Sequence, residues 1–320
     1  MAVSTRLIKR RIKSIGNTRK ITKAMELVAA SKMRKAVQLT LSSRAYASTV
    51  RKLVEEIRGL VDPALHAMLT GIRRNQRNPR ADTRIRTLVI VAASDRGLCG
   101  GFNAQLLKKT MEFIRGRTND DIRVITVGRR AEGAVRRAGF DVIASFEAIS
   151  NAPSYAGARP VGELAVQEFI AGRADRVFAV YTDFRSALTY VPVTEQLLPV
   201  IPEESLGRFP LRAQYAAPVE DEALSDQDEE EPFDSSSILL EPSPWFVLNH
   251  LLPRLVEMRV YQALLESAAS EHSARMLAMR SATDNASGML DDLTFTFNQS
   301  RQAGITREIS EISAGKAALE

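Results

Sequence analysis

The 320-residue sequence holds a single cysteine, Cys99. One thiol forms no intramolecular disulfide and builds no cysteine-based zinc site alone, and such usage points to the cytosol or another reducing compartment. Histidine is scarce as well. His66, His250 and His272 stand far apart without ligand spacing, so no metal site is expected. No apolar run approaches the roughly 20 residues that span a bilayer, and the N-terminus lacks a signal-peptide core, so direct bilayer insertion is not expected. Phe, Tyr and Trp are absent before Tyr46, which removes the stacking platforms that single-stranded nucleic acid needs. Proline is missing from Leu7 to Val61 and again after Pro253, leaving two long stretches free to be helical.

What is present is ordinary for a folded chain: 45% hydrophobic and 26% charged residues, enough for about two domains. The net charge of +6 favours partners with acidic surfaces. Residues 1–35 carry eleven Lys/Arg against one acid, Glu26. An amphipathic, basic, acid-poor start is also the composition of an organelle transit peptide. Here the pattern runs on unbroken through residue 61, so it reads as a structural helix, and with no cleavable presequence evident a bacterial source is expected.

Apolar residues in that first stretch recur by four and then three: Ile8, Ile12 and Ile15; Ile21, Met25 and Val28; Ala29, Met33 and Ala36. Each trio predicts a stripe on one helix face. The C-terminal stretch is more regular. From Leu248 the seam runs Leu251, Leu255, Met258, Gln262, Leu265, Ala269, His272, Met276, Met279, Thr283, Ala286, Leu290, Leu293 and Phe297. Such a run reads as a coiled coil or helical shaft of roughly 100 Å at 1.5 Å per residue. Gln262, His272 and Thr283 are polar intrusions read as register control. The two ends are matched, and each needs the other to bury its seam.

Between them the texture changes. Thr87–Ala93, Ile122–Val127, Val142–Phe146 and Arg176–Phe184 read as strands, and Thr189–Leu198 as an edge strand because of Pro192 and Pro199. Phe102–Arg115, Arg129–Ala138 and Pro160–Gly172 read as helices, the last opening on its proline and closing on glycine. Alternation of this kind predicts a Rossmann-like α/β domain with a mostly parallel sheet. The expected organisation is an N-terminal coiled-coil helix over 1–62, a linker over 63–86, the α/β domain over 87–201, an acidic irregular segment over 202–244 and a C-terminal coiled-coil helix over 245–320. Within Glu220–Glu231 eight of twelve residues are acidic, as in a solvated loop.

One glycine-rich element follows a strand and precedes a helix: Ser94, Asp95, Arg96, Gly97, Leu98, Cys99, Gly100, Gly101, Phe102, Asn103. Phosphate loops occupy that position. Phe102-Asn103 stands where a Walker loop needs Lys-Ser/Thr, and the GxGxxG spacing is missing. Nucleotide hydrolysis has no chemistry to run on here. A tight turn with Asp95 or Asn103 near the helix cap is the expected role. No catalytic residue, cofactor site or metal site emerges from the sequence.

Four blocks are specific enough to carry a resemblance. Ile21–Arg34 (ITKAMELVAASKMR), Ser94–Asn103 (SDRGLCGGFN), Glu271–Asn285 (EHSARMLAMRSATDN) and Asn298–Ile312 (NQSRQAGITREISEI) stand in the same order as in the gamma subunit of F-type ATP synthases, which the chain resembles from residue 4 to about 316. The acidic stretch 220–231 looks longer and more charged than in bacterial members, and no cysteine pair is present for the thiol switch of chloroplast members. The resemblance implies an antiparallel coiled coil inside a ring of three alpha and three beta subunits, and an α/β domain meeting the epsilon subunit and the membrane c-ring. It implies one copy per complex, no nucleic acid, no active site of its own, and a peripheral place on the cytoplasmic side of a cell membrane. Carried by motif position, Lys23, Met25, Lys32, Arg34, Lys35, Arg301, Gln302 and Thr306 become rotor–stator contacts, and Ile305, Ile309 and Ile312 a tip turning in an apolar collar. Asp95, Arg96, Gly97, Gly100, Gly101 and Asn103 form the signature turn of the central domain.

Overall fold

The computed structural model describes residues 5–60, 66–71, 84–200 and 241–317. Most of the expected linker and the acidic stretch 220–231 lie outside the described residues. The elements run α1 (Thr5–Leu60), α2 (Ala67–Thr70), β1 (Ile85–Ala92), α3 (Phe102–Arg115), β2 (Asp120–Val127), α4 (Arg129–Arg137), β3 (Asp141–Phe146), α5 (Tyr155–Ile170), β4 (Arg176–Phe184), β5 (Tyr190–Leu198) and α6 (Pro244–Ala317). Two compact units divide the chain: residues 1–31 with 275–320, and residues 32–274. The division cuts through both terminal helices, so part of each helix belongs to the α/β unit.

The first unit is an antiparallel helix pair. Ile8, Thr22 and Ala29 of α1 are buried, as are Met279 and Ala286 of α6. The hydroxyls of Thr22 and Thr283 meet across the seam at 2.8 Å. One expected stripe is out of phase. Ile21 and Val28 are 61% and 56% exposed, because the inward line steps by seven through Ile15, Thr22 and Ala29. A residue one position earlier points about 100° away. Threonine and alanine take the interior here, as small side chains let two backbones approach closely. Residues 301–314 of α6 are exposed throughout.

The second unit is built on a five-stranded sheet in the order β3-β2-β1-β4-β5. β1 pairs in parallel with β2 and β4, and β2 with β3, while β5 closes the edge antiparallel to β4. Alternate residues of β1 face opposite layers. Leu88, Ile90 and Ala92 pack towards α5, α6 and the second half of α1, and Val89, Val91 and Ala93 towards α3 and α4. Both faces are covered, which is why β1 reads as a continuous apolar run. The other half of the helix seam also runs antiparallel here: Ala36 packs with Ala268 and Ala269, and the Ser43 hydroxyl donates to Gln262 Oε1 at 2.6 Å.

One local start differs from expectation. Helix α5 begins at Tyr155, five residues before Pro160. Ser154 caps it, its hydroxyl accepting the Gly157 amide at 3.2 Å, and the proline sits in the second turn, where it removes one helical bond without ending the helix. Helix α6 likewise carries Pro253 inside it.

Candidate functional site

The signature turn leaves the carboxyl end of β1 and is knotted by side chains. Asn103 Oδ1 accepts the Ser94 amide at 3.2 Å, and Asn103 Nδ2 donates to the Ser94 hydroxyl at 2.7 Å and to Cys99 Sγ at 3.1 Å. The Ser94 hydroxyl in turn reaches the Arg96 carbonyl at 2.6 Å. Leu98 and Gly100 adopt positive φ, 62° and 54°, a backbone course that favours glycine at the second position. Asp95 does not cap the helix that follows it. Its Oδ1 accepts the first amide of α4, Arg129, at 3.2 Å, and its Oδ2 accepts the Ser150 hydroxyl at 2.7 Å. Gly97 passes so near α4 that a Cβ would stand 3.1 Å from an Arg130 nitrogen. Asp95, Gly97 and Asn103 of the signature turn thus form a clamp between α3, α4 and the loop after β3 on one sheet end.

That loop is tied further within the unit. Asn151 Oδ1 accepts from Lys32 Nζ of α1 at 3.0 Å, and its carbonyl meets His272 Nε2 of α6 at 3.0 Å. His272 thus engages the loop after β3, so register control at this seam position involves the sheet end. A polar cleft of about 220 Å³ lies beside the clamp, lined by Asp95, Arg96, Arg129, Ala148, Asn151 and Glu271. Arg129 is neutralised by Glu147 at 2.7 Å. The cleft mixes two arginines with two carboxylates and holds no nucleophile–base pair.

In open α/β sheets ligands bind outside the carboxyl ends of the strands, where the strand order reverses. Here that point lies between β1 and β4, and α6 occupies it. The Ser267 hydroxyl donates to the Ala92 carbonyl at 3.0 Å and the Ser270 hydroxyl to the Thr182 carbonyl at 3.2 Å. Ser273 donates to the Ala187 carbonyl beyond β4. All three serines are buried. The crevice that serves nucleotides in related folds is filled by the protein's own helix. Sequence reading missed this line. Its signal was serine at every third position of α6, facing inward among alanines.

Charged groups pin α6 and the sheet from other sides. Arg259 of α6 is buried and pairs with Glu195 of β5 at 2.7 Å, while the Tyr181 hydroxyl donates to the same carboxylate at 2.9 Å. Burial, with Glu195 and Glu266 adding to it, pushes the Tyr181 phenol well above its ordinary range, so it stays a donor. Tyr155 of α5 donates to Glu257 Oε2 at 2.6 Å. At the far side of the sheet, Arg173 and Arg123 both reach Glu168, and the Arg173 hydrogen bond leads in holding that carboxyl below the usual range against burial.

The residues expected to meet partners are spread along the helices. In the first unit Lys23 is exposed and paired with Glu26 at 3.0 Å, and Met25 is half-buried. Arg301, Gln302 and Thr306 are exposed, about 30 Å along the pair from Met25 at 1.5 Å per residue. Ile305, Ile309 and Ile312 are 49%, 59% and 74% exposed. In the second unit Arg34 and Lys35 are exposed, and Lys32 is already engaged with Asn151. Among the described residues no group of three or more His, Cys, Asp or Glu could hold a metal, and no helix is long and apolar enough to cross a membrane.

Comparison with known proteins agrees with this arrangement. The family described as ATP synthase matches residues 4–319. The ATP synthase gamma chain of Heliobacterium modesticaldum is 40% identical over 312 residues, covering 98% of each chain. That of Pelotomaculum thermopropionicum is 38% identical over 317 residues, covering 99% of each. Among solved structures, a chain of the Tetrahymena thermophila mitochondrial ATP synthase central stalk and c-ring superposes with a TM-score of 0.54 at 25% identity, over 82% of this chain and 99% of that one. A chain of the Euglena gracilis mitochondrial ATP synthase shares the fold, with a TM-score of 0.59 at 16% identity over 99% and 94% of the two chains. With two matched terminal helices, a clamped α/β unit and these full-length likenesses together, the chain belongs to the ATP synthase gamma-chain family.

Proposed function

We propose that this chain is the rotor shaft of a proton-translocating ATP synthase, carrying torque between a membrane c-ring and an alpha–beta hexamer. One copy would serve three alpha and three beta subunits, with the epsilon subunit beside the α/β unit. Catalysis would belong to its partners. The chain would contribute differential contacts that bias their conformations, since a ligand or partner shifts an equilibrium only by what it contacts differently in each state. Its place would be peripheral, on the cytoplasmic side of a bacterial cell membrane.

The observation that carries this reading is the helix α6 filling the ligand crevice of its own sheet while its far end stays bare. A binding enzyme of this fold keeps that crevice open; a torque-bearing element needs it closed and gripped. The three isoleucines near the C-terminal end of α6 suit an apolar collar in which a shaft turns. Basic Lys23, Arg34 and Lys35, with Lys32 once its bond to Asn151 is exchanged, suit an acidic partner surface. Met25 suits a contact that must slip from one partner to the next, being flexible and without a deep anchor. Arg301, Gln302 and Thr306 would meet the beta subunits nearer the tip.

The test is reconstitution with the alpha and beta subunits of the same source. Met25→Lys and Arg301→Ala should each lower ATP hydrolysis coupled to proton movement, while the isolated chain melts as the unaltered one does. If both variants sustain coupled turnover at the original rate, these contact assignments are wrong.

A further inference from the structure

Resting on the shaft reading, we propose that Ser267, Ser270, Ser273 and the Arg259–Glu195 pair form a keyed joint that stops α6 from turning about its own axis against the sheet. Beside the path through α1, torque entering through the α/β unit passes to α6 across the contacts made inside that unit. Most are apolar, through Leu248, Leu252, Leu255, Val256, Val260 and Leu264. Apolar contact is non-directional: a smooth helix face can shift in rotation and find new neighbours of similar worth. Hydrogen bonds differ, because they weaken steeply once bent or stretched.

The serines sit at every third position, so their hydroxyls line one narrow strip of α6. Each reaches a different fixed carbonyl: the end of β1, β4, and the turn that follows β4. A serine hydroxyl in a helix commonly bonds back to its own preceding turn; these three instead reach across to the sheet. Their neighbours Ala268, Ala269 and Ala274 are buried too, so small size alone would have been met by alanine. Two turns earlier Arg259 grips Glu195 with a side chain that is 2% exposed, and Tyr181 holds the other carboxylate oxygen. A buried pair of this kind adds little net stability over apolar replacements but fixes geometry. The strip supplies directional restraints on the helix from β1 and β4, and the buried ion pair anchors it to β5.

The experiment uses the full complex, reconstituted with the same organism's alpha, beta and membrane subunits in phospholipid vesicles. Protons pumped per ATP hydrolysed are read as a ratio. Two variants are compared with the unaltered chain: Ser267→Ala/Ser270→Ala/Ser273→Ala, which favours helix and adds no bulk, and Arg259→Met/Glu195→Gln, which removes both charges of the pair. Each assembled variant should hydrolyse ATP while the pumping ratio falls at least about twofold, most under a pre-formed proton gradient. A merely structural role would lower the melting temperature and leave the ratio of assembled complexes unmoved; that result overturns the joint. If the unaltered chain itself fails to stimulate hydrolysis by alpha and beta, the shaft reading falls, and that outcome is read before either variant is scored.

Discussion

His66 has its proton placed by its neighbours. Its Nδ1 accepts the Met68 amide at 3.3 Å, which leaves the proton on Nε2, facing Asn249 Oδ1 at 2.9 Å. Burial lowers its pKa below the ordinary value of 6.5, with the Asn249 bond opposing. A base with a lowered folded pKa leaves the unfolded chain to bind the proton first. Its stability contribution is whole above the unfolded value and is lost as pH falls through it. The melting temperature should therefore drop between about pH 7 and 5, and His66→Gln should flatten that slope; parallel slopes for the two proteins would contradict the assignment. Glycine offers a sharper case. At Gly128 φ is +87° and a Cβ would stand 2.3 Å from the Ala93 carbonyl oxygen, so the turn into α4 admits nothing larger. Gly162 on α5 lies against the α6 backbone, where a Cβ would meet the Glu257 Cα at 2.9 Å. In urea unfolding, Gly128→Ala should cost about 3 kcal/mol or more, and Gly162→Ala about 1–3 kcal/mol. Equal, near-zero losses would show that the close approaches are not real.

At the scale of the element, what was legible in the sequence follows from how local each cause is. The strands β1 and β4 were readable because both faces are covered and their central residues, Leu88–Ala92 and Val177–Val180, are apolar. Helix α3 was readable because Gly101 and Gly116 bracket it. The start of α5 was not, because a proline in the second turn carries a stronger sequence signal than the Ser154 cap that sets the boundary. The phase of α1 was misjudged at Ile21 and Val28 because bulk suggested burial, while close helix approach selects Thr22 and Ala29. The serine strip of α6 showed only as a spacing, and its targets and the Arg259–Glu195 pair were illegible, since the serine partners lie 86 to 175 residues away in sequence and Glu195 lies on another element. The signature turn was recognised as a turn, yet Asp95 serves α4 and the loop after β3, a link only the folded sheet creates. The exposed α6 end yields its own prediction. Replacing Ile305, Ile309 and Ile312 together by serine should leave the helical circular dichroism of the isolated chain unchanged, since none packs within it, yet reduce activation of the alpha–beta hexamer by about tenfold. Unchanged activation would remove the bearing role.

The whole molecule is defined by which of its surfaces are spent and which are left. Sequence and fold spend the crevice of the α/β sheet on α6, spend the charged residues Glu195, Glu168 and Glu257 on internal ion pairs and hydrogen bonds, and leave apolar side chains uncovered on the outer face of α1 and at the end of α6. Such a chain finishes its burial by assembling with others. The most direct measurement is co-expression with alpha and beta subunits of the same source, sizing of the product, and ATP hydrolysis with and without this chain. The account predicts one copy per three alpha–beta pairs and hydrolysis that depends on its presence. A free monomer that leaves hydrolysis by alpha and beta unchanged would contradict it.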